Sequence, residues 1–171
     1  MGHRMSLILL SFLILLTGPV QAGDKNTDPD VLLGIWETEH EEKGYSRIEI
    51  TREGDRYQGK IVWLSNPTYL EGDPDGEVGT PILDIHNPDE SRRTQTLDGL
   101  QLLHSFRFNK GDGKWVDGRI YDPTEGKEYR CKITLKDADT LEVYGYVKVG
   151  FVKLGRDTAW IRVPDVTKDS E

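Results

Sequence analysis

The chain has 171 residues, of which 18 are Gly, 8 are Pro and one is Cys, and 36% are hydrophobic. This length fits one domain, and the Gly and Pro content favours a turn-rich fold over a helical bundle. Lys and Arg number 22 against 30 Asp and Glu, and the resulting net charge of −8 argues against a nucleic-acid partner, which needs a basic surface. The single cysteine excludes an internal disulfide and a Cys-rich metal site, and no motif predicts a cofactor.

The first 22 residues have the pattern of a signal peptide. His3 and Arg4 precede an apolar run at 7–16, and the segment ends in Val20-Gln21-Ala22, with small residues at the positions that signal peptidase reads. The run is shorter than the ~20 residues that span a bilayer, although an uncleaved anchor is the alternative. We predict a mature chain from Gly23 with no membrane span, exported to the periplasm if the cell is Gram-negative and otherwise to the extracellular space.

The mature chain alternates apolar and polar residues with a period of two, which is typical of strands. The alternation is cleanest from Tyr129 to Leu135, where it buries Cys131 as an inert core thiol. Residues 23–30 form a polar leader, 31–164 a single β-domain and 165–171 a disordered tail. Strands are predicted at 34–39, 46–52, 57–64, 80–85, 102–108, 115–121, 128–135, 140–147 and 158–163. Eight or nine hairpin-connected strands favour an antiparallel up-and-down barrel, with a two-sheet β-sandwich as the alternative.

A long segment at 65–93 interrupts the alternation, and we expect it to lie over one mouth of the barrel. Asp84 and His86 near its end, with Asp122, have the side chains that general acid–base catalysis uses. Its acids could also hold a metal, and the candidates are Asp73, Asp75 and Glu77. The calcium-loop spacing fails beyond Gly76, however, so a solvated acidic loop with Asx turns is favoured over both readings and no metal site is predicted.

Two features at the ends of the domain resemble those of another group of barrels. Gly34-x-Trp36 opens the first predicted strand, and Arg162 closes the last. This pairing is similar to the calycin arrangement of lipocalins, fatty-acid-binding proteins and avidins. The resemblance implies that Trp36 closes one barrel end and that Arg162 stacks across it, an interaction worth roughly 0.5–2 kcal/mol.

The motif order is closer still to one family of secreted bacterial proteins. The motifs are Gly34-x-Trp36-x-Thr38-Glu39, Gly59-Lys60-Ile61-Val62-Trp63-Leu64, Asp84-x-x-Asn87-Pro88, Gly118-Arg119-Ile120-Tyr121-Asp122-Pro123-x-x-Gly126-Lys127-x-Tyr129, Leu141-x-Val143-x-Gly145 and Gly155-Arg156-x-x-x-Trp160-x-Arg162. They resemble an uncharacterised family catalogued as a domain of unknown function. The resemblance implies a calycin-like fold and export, and it implies no reaction.

Candidate ligand-binding residues follow from strand parity. Inward aromatic side chains could line a cavity, and these are Tyr57, Trp63, Phe106, Phe108 and Tyr129. Trp115, Asp117, Arg119 and Tyr121 share one face of a predicted strand, and with this face inside, Arg119 and Tyr121 would meet a polar headgroup. Alternatively, the aromatic residues simply fill the interior, and Val116 and Ile120 point inward instead.

Three functions remain open at this point. The leading hypothesis is a non-enzymatic binding protein for a small lipid-like or amphipathic molecule, held in the barrel or at its mouth. The second is an envelope hydrolase or isomerase that uses Asp84, His86 and Asp122. The third is a module with a packed core that docks on another envelope protein.

Overall fold

The structure, a computed structural model, describes residues 28–40 and 44–164. Within them, eight strands form a closed antiparallel barrel in which each strand pairs with its neighbours in sequence and the first pairs with the last. The strands are β1 Gly34–Glu37, β2 Ser46–Glu53, β3 Arg56–Leu64, β4 Gln101–Asn109, β5 Lys114–Asp122, β6 Lys127–Asp137, β7 Thr140–Val149 and β8 Val152–Arg162. The predicted all-β up-and-down barrel is thus confirmed over the sandwich. The predicted signal peptide, residues 23–27 of the polar leader and the predicted tail lie outside the described residues.

Alternating burial in β6 and β7 shows why these segments form strands. Cys131 and Ile133 on β6 lie opposite Gly145 and Val143 on β7, and the side chains of this face point into the barrel. Polar residues between them face outward, so each strand buries one face only. Burial raises the pKa of the Cys131 thiol to about 12, which leaves it protonated and unreactive at neutral pH.

Two predicted strands differ from the observed ones. Residues 80–85 do not form a strand: Leu83 and Pro81 make only isolated bridges, and the segment belongs to a long loop at residues 65–100. Proline lacks the N–H that a ladder needs, and β3 already pairs with β4, which leaves no open edge for a ninth strand. The last strand is longer than the predicted 158–163, because it begins at Val152 and forms a long hairpin with β7.

Bulges reverse the face of several side chains that strand parity assigned. Ser105 on β4 and Asp117 on β5 have positive φ angles of 67° and 61°, and the β5–β6 register shifts between Trp115 and Gly118. The prediction that Trp115, Asp117 and Arg119 share a face is therefore wrong: Trp115 is buried, whereas Asp117 is exposed. The ring of Phe106 packs flat on Gly118, where a Cβ would overlap it.

One end of the barrel is closed by the chain that precedes β1. A 3-10 turn at Pro29–Leu32 lies across this end, and the Trp36 indole N–H donates to the Leu32 carbonyl at 2.9 Å. The Arg162 guanidinium stacks 4.0 Å from the Trp36 ring and donates to the Val31 and Leu33 carbonyls. Gly34, with φ of 119°, leaves the space through which that guanidinium passes. Cation and turn together seal the closed end.

The opposite end is the open end, where the chain places the β1–β2 connection, the long loop and the β5–β6 and β7–β8 turns. The aromatic core lies toward the closed end, where the Trp115 ring meets the Tyr57 ring edge to face and the Phe108 ring at a tilt. In the part of the chain that the structure describes, no helix is long and apolar enough to cross a membrane.

Candidate ligand cleft at the open end of the barrel

A cleft of about 1050 Å³ extends from the barrel interior to the open end. Its floor is apolar and consists of Ile61, Leu102, Ile120, Val143 and Trp160. The long loop, the β5–β6 turn and the β7–β8 hairpin form its walls. Its volume is at the upper end of the range of about 300–1,000 Å³ found for small-molecule sites. The interior is therefore packed in one half and open in the other.

A buried carboxylate anchors the long loop over the mouth. Asp84 is fully buried, and its two oxygens accept hydrogen bonds from the Tyr121 hydroxyl at 2.7 Å and the Asn87 amide at 2.6 Å. Burial, followed by the hydrogen bond to Asp84, raises the pKa of Tyr121, so the phenol keeps its proton and continues to donate. The contact joins the loop to the end of β5 and fixes one wall of the cleft.

The β5–β6 turn supports the loop from the other side. Asp122 accepts hydrogen bonds from the Thr124 backbone at 2.9 Å and the Thr124 hydroxyl at 2.6 Å, which closes the turn. Gly126 has φ of 64°, and a Cβ there would overlap the carbonyl of His86 in the long loop. Turn and loop thus meet backbone to backbone, which explains the Asp-Pro-x-x-Gly pattern of this segment.

The rim of the cleft is acidic. Six carboxylates line it against one arginine, and they are Glu39, Glu71, Asp73, Asp75, Asp122 and Glu125. The arginine, Arg156, lies 3.6 Å from Glu39. Charges concentrated around a concave, apolar site attract the opposite sign and repel their own. The rim therefore disfavours an anionic headgroup.

The residues from 34 to 162 match the family described as "Uncharacterized protein conserved in bacteria (DUF2147)". The chain belongs to this family. Among solved structures, it is similar to protein HP1028 from the human pathogen Helicobacter pylori, described as belonging to the lipocalin family. The two are 21% identical over 81% of this chain and 86% of that one, with a TM-score of 0.62. This likeness shows that the DUF2147 domain has a lipocalin-like fold. No curated protein matches the sequence.

The three catalytic candidates of this DUF2147 chain do not converge. Asp84 bonds to Tyr121 and Asn87, whereas Asp122 bonds within its own turn. His86 points to Asp75, with its Nε2 3.3 Å from the carboxylate, and both side chains are exposed. Each of the three polar groups has a structural partner of its own, and none bonds another candidate. The arrangement resembles loop anchoring rather than an acid–base pair.

The acidic segment of the loop does not gather its carboxylates either. Asp73 accepts a hydrogen bond from the Leu70 backbone at 2.7 Å, and Asp75 faces His86. Glu77 accepts hydrogen bonds at its backbone carbonyl, from the Thr80 N–H and hydroxyl. Among the described residues, no group of three or more His, Cys, Asp or Glu side chains could hold a metal ion.

The structure separates the predicted ligand-binding residues into three sets. Tyr121 and Tyr129 line the cleft. The core of the closed half contains Tyr57, Phe106 and Phe108, which pack against other side chains instead of the cleft. The outer surface contains Trp63, under the Arg47 guanidinium, and Arg119, 3.6 Å from Glu128. Trp63 faces outward because a bulge at Val62 opposite the Arg47–Ile48 step reverses its parity.

Sequence reasoning missed the wall that β7 and β8 contribute. Val143, Thr158 and Trp160 alternate along the inward face and line the cleft, as does Gly145. The signal was available, because Leu141-x-Val143-x-Gly145 and Thr158-x-Trp160 both have the period of two. Parity alone indicates only that these positions face the interior. What parity does not show is that small residues there leave space unfilled.

Proposed function

We propose that this protein is a non-enzymatic binding protein for a small amphipathic molecule, exported to the periplasm of a Gram-negative cell or to the extracellular space. The observation that supports the proposal is the cleft of about 1050 Å³, with an apolar floor and a polar rim, inside a lipocalin-like barrel. An apolar tail on the floor and a headgroup at the rim would satisfy both surfaces. Burial of each CH₂ is worth about 0.8 kcal/mol, so a long chain gains most of its affinity from the floor.

The rim suggests the charge of the headgroup. Six carboxylates and one arginine make the mouth acidic, and that arginine is already beside Glu39. A headgroup with a positive charge or with hydroxyl groups would be attracted or tolerated, whereas a carboxylate would be repelled. Arg119, which strand parity offered as an anion partner, lies outside the cleft beside Glu128. We infer a neutral or cationic headgroup.

Titration with ligands that share one alkyl chain tests tail and headgroup separately. Dodecyltrimethylammonium, monododecanoyl glycerol and dodecanoate are added below their micellar concentrations, and the intrinsic tryptophan fluorescence is followed, to which Trp160 in the cleft contributes. We expect the cationic and neutral ligands to bind at least about tenfold more tightly than dodecanoate, and decyl analogues to bind about fifteenfold more weakly than dodecyl ones. Absence of binding by all three would refute the proposed function. Equal binding of dodecanoate would refute only the headgroup.

A variant pair controls for the location of the ligand. Gly145→Phe places a ring in the cleft from β7, where a Cβ would be 3.4 Å from Ile120 and backbone conformation is not a constraint. Ala159→Phe adds the same ring on the exposed face of β8. We expect the first change to abolish binding and the second to preserve it. Binding that survives in Gly145→Phe would place the ligand outside the cleft. Native mass spectrometry of protein from its own envelope would then identify the ligand.

A further inference from the structure

The β7–β8 hairpin ends in a strongly exposed apolar tip, which we define as residues 147–154. Phe151 at the turn is 108% exposed, and Val149 and Val152 beside it are 60% and 57% exposed. Val147 and Leu154 at its base are also exposed and line the cleft. Apolar residues clustered on one projecting hairpin, unlike scattered surface ones, indicate a contact surface.

The ladder register divides the tip into two faces. Val147 pairs with Leu154 and Val149 with Val152, so these four side chains share the face that continues the cleft wall. Lys148 pairs with Lys153 on the opposite face. The turn stands about 10 Å beyond the last pair that lines the cleft, because a strand rises about 3.3 Å per residue. The tip therefore extends past the rim.

Charge and aromatic residues at the tip contrast with the rest of the molecule. Residues 144–156, which are the tip and the part of the hairpin just below it, contain two lysines and one arginine and no acid, in a chain with net charge −8. Lys148 lies directly opposite Lys153, a like-charge pair that disfavours the hairpin unless an anion neutralises it. Tyr144 and Tyr146 stack beneath, with the Lys153 ammonium 4.7 Å from the Tyr146 ring. The ribbon presents apolar, aromatic and cationic groups together.

We propose that the tip docks on the surface of a bilayer that contains anionic lipids, with Phe151 inserted among the headgroups and Lys148 and Lys153 against the phosphates. Stable peripheral binding needs an apolar and an electrostatic contribution together, and the tip supplies both. Tyrosine is also favoured at the membrane–water interface. The acidic rim opposes this approach, but the turn lies about 10 Å beyond the Val147–Leu154 pair, so Phe151 is farther along the hairpin than any residue that lines the cleft. Docking places the mouth of the cleft at the bilayer surface.

Vesicle flotation tests the proposal with lipids of defined charge. The chain is prepared without residues 1–22, whose apolar run would bind vesicles by itself, because the strand pairs that close the described barrel lie within residues 34–162. Vesicles of phosphatidylcholine alone are compared with vesicles that also contain phosphatidylglycerol. We expect flotation with the anionic vesicles only, weakened by raising the salt concentration.

Matched variants separate the two contributions. Phe151→Ser is expected to weaken binding at least about tenfold, whereas Ile161→Ser, at an exposed apolar residue near the closed end of the barrel, leaves it unchanged. Lys148→Gln with Lys153→Gln is expected to weaken binding to anionic vesicles about fivefold for each lysine. The control is Lys60→Gln with Lys110→Gln, which changes the net charge of the chain equally.

Three results would overturn the proposal. The first is no flotation of the wild-type protein with either vesicle. The second is flotation that Phe151→Ser and Ile161→Ser reduce equally. The third is a wild-type dimer, measured by light scattering, that Phe151→Ser converts to a monomer while neither floats, since the tip would then bind a second copy of the chain.

Discussion

Replacing Trp36 by Ala tests the contact that closes one end of the barrel. Trp36 is fully buried, its indole N–H donates to the Leu32 carbonyl at 2.9 Å, and the Arg162 guanidinium lies 4.0 Å from the ring. Trp36→Ala leaves a cavity the size of an indole and a carbonyl without its donor. We expect the free energy of unfolding to fall by about 3–5 kcal/mol, the range for loss of a buried large aromatic residue. That is a large share of the ~5–15 kcal/mol typical of a domain.

A double-mutant cycle separates the stacking from the packing. Arg162→Met keeps an apolar stem over the ring but removes the charge and the hydrogen bonds to the Val31, Leu33 and Ala138 carbonyls. Combined with Trp36→Ala, it should give a coupling free energy of about 0.5–2 kcal/mol for cation and ring. Urea unfolding followed by circular dichroism measures all four proteins. A loss below about 1 kcal/mol for Trp36→Ala would show that the ring does not plug the barrel end and would refute the closure argument.

Three further predictions concern stability and the cleft wall. Burial raises the pKa of the Cys131 thiol from about 9 to about 12, so this group should lower the free energy of unfolding as pH rises through this interval, by about 2 kcal/mol at pH 10.5. The raised pKa of Tyr121 adds to the alkaline decline, and urea titrations of Cys131→Ala should therefore show a decline that is smaller than in the wild type by about 2 kcal/mol at pH 10.5. Gly118→Ala should lower the free energy of unfolding by about 1–3 kcal/mol, because the new Cβ meets the Phe106 ring. In a double-mutant cycle measured by thermal unfolding, the same change should be less destabilising when Phe106 is replaced by Leu. Asp84→Ala leaves the Tyr121 hydroxyl without its buried acceptor. We expect faster hydrogen exchange across residues 65–93 and unchanged exchange of the β6 amides. An equal increase in both regions would contradict an anchoring role.

The barrel was predictable because its strands repeat one simple pattern. β6 alternates inward and outward residues from Tyr129 to Leu135 without a break, and its register with β7 follows that pattern. Hairpins between consecutive strands leave few ways to protect the edges, and closure is the best of them. Only the segment at 80–85 was wrong as a strand. Ile82 and Ile85 favour a strand, but Pro81 lacks a ladder N–H and no strand edge was available to pair with the segment.

The candidate site was less predictable because bulges lie where the site residues are. An extra residue at Val62, Ser105 or Asp117 reverses the faces that follow it, so parity assigns Trp63 to the wrong side and groups Trp115 with Asp117. A bulge has little signature in sequence when its central residue is not glycine. The hydrogen bond between Asp84 and Tyr121 has no signature in the sequence either, since it joins residues 37 positions apart that only the fold brings together.

The division of the barrel into a packed half and an open half comes from the sizes of its inward side chains. At the closed end these are large and include Trp36 and Trp115, both of which are fully buried in the hydrophobic core. Toward the open end the inward positions of β7 and β8 include Val143, Gly145 and Thr158, and the small volumes of these three residues help to leave the cleft open. If the interior served only to stabilise the fold, larger side chains at these positions would bury more apolar area at no backbone cost. The small residues are therefore the strongest sequence-level reason to regard the cleft as a binding site.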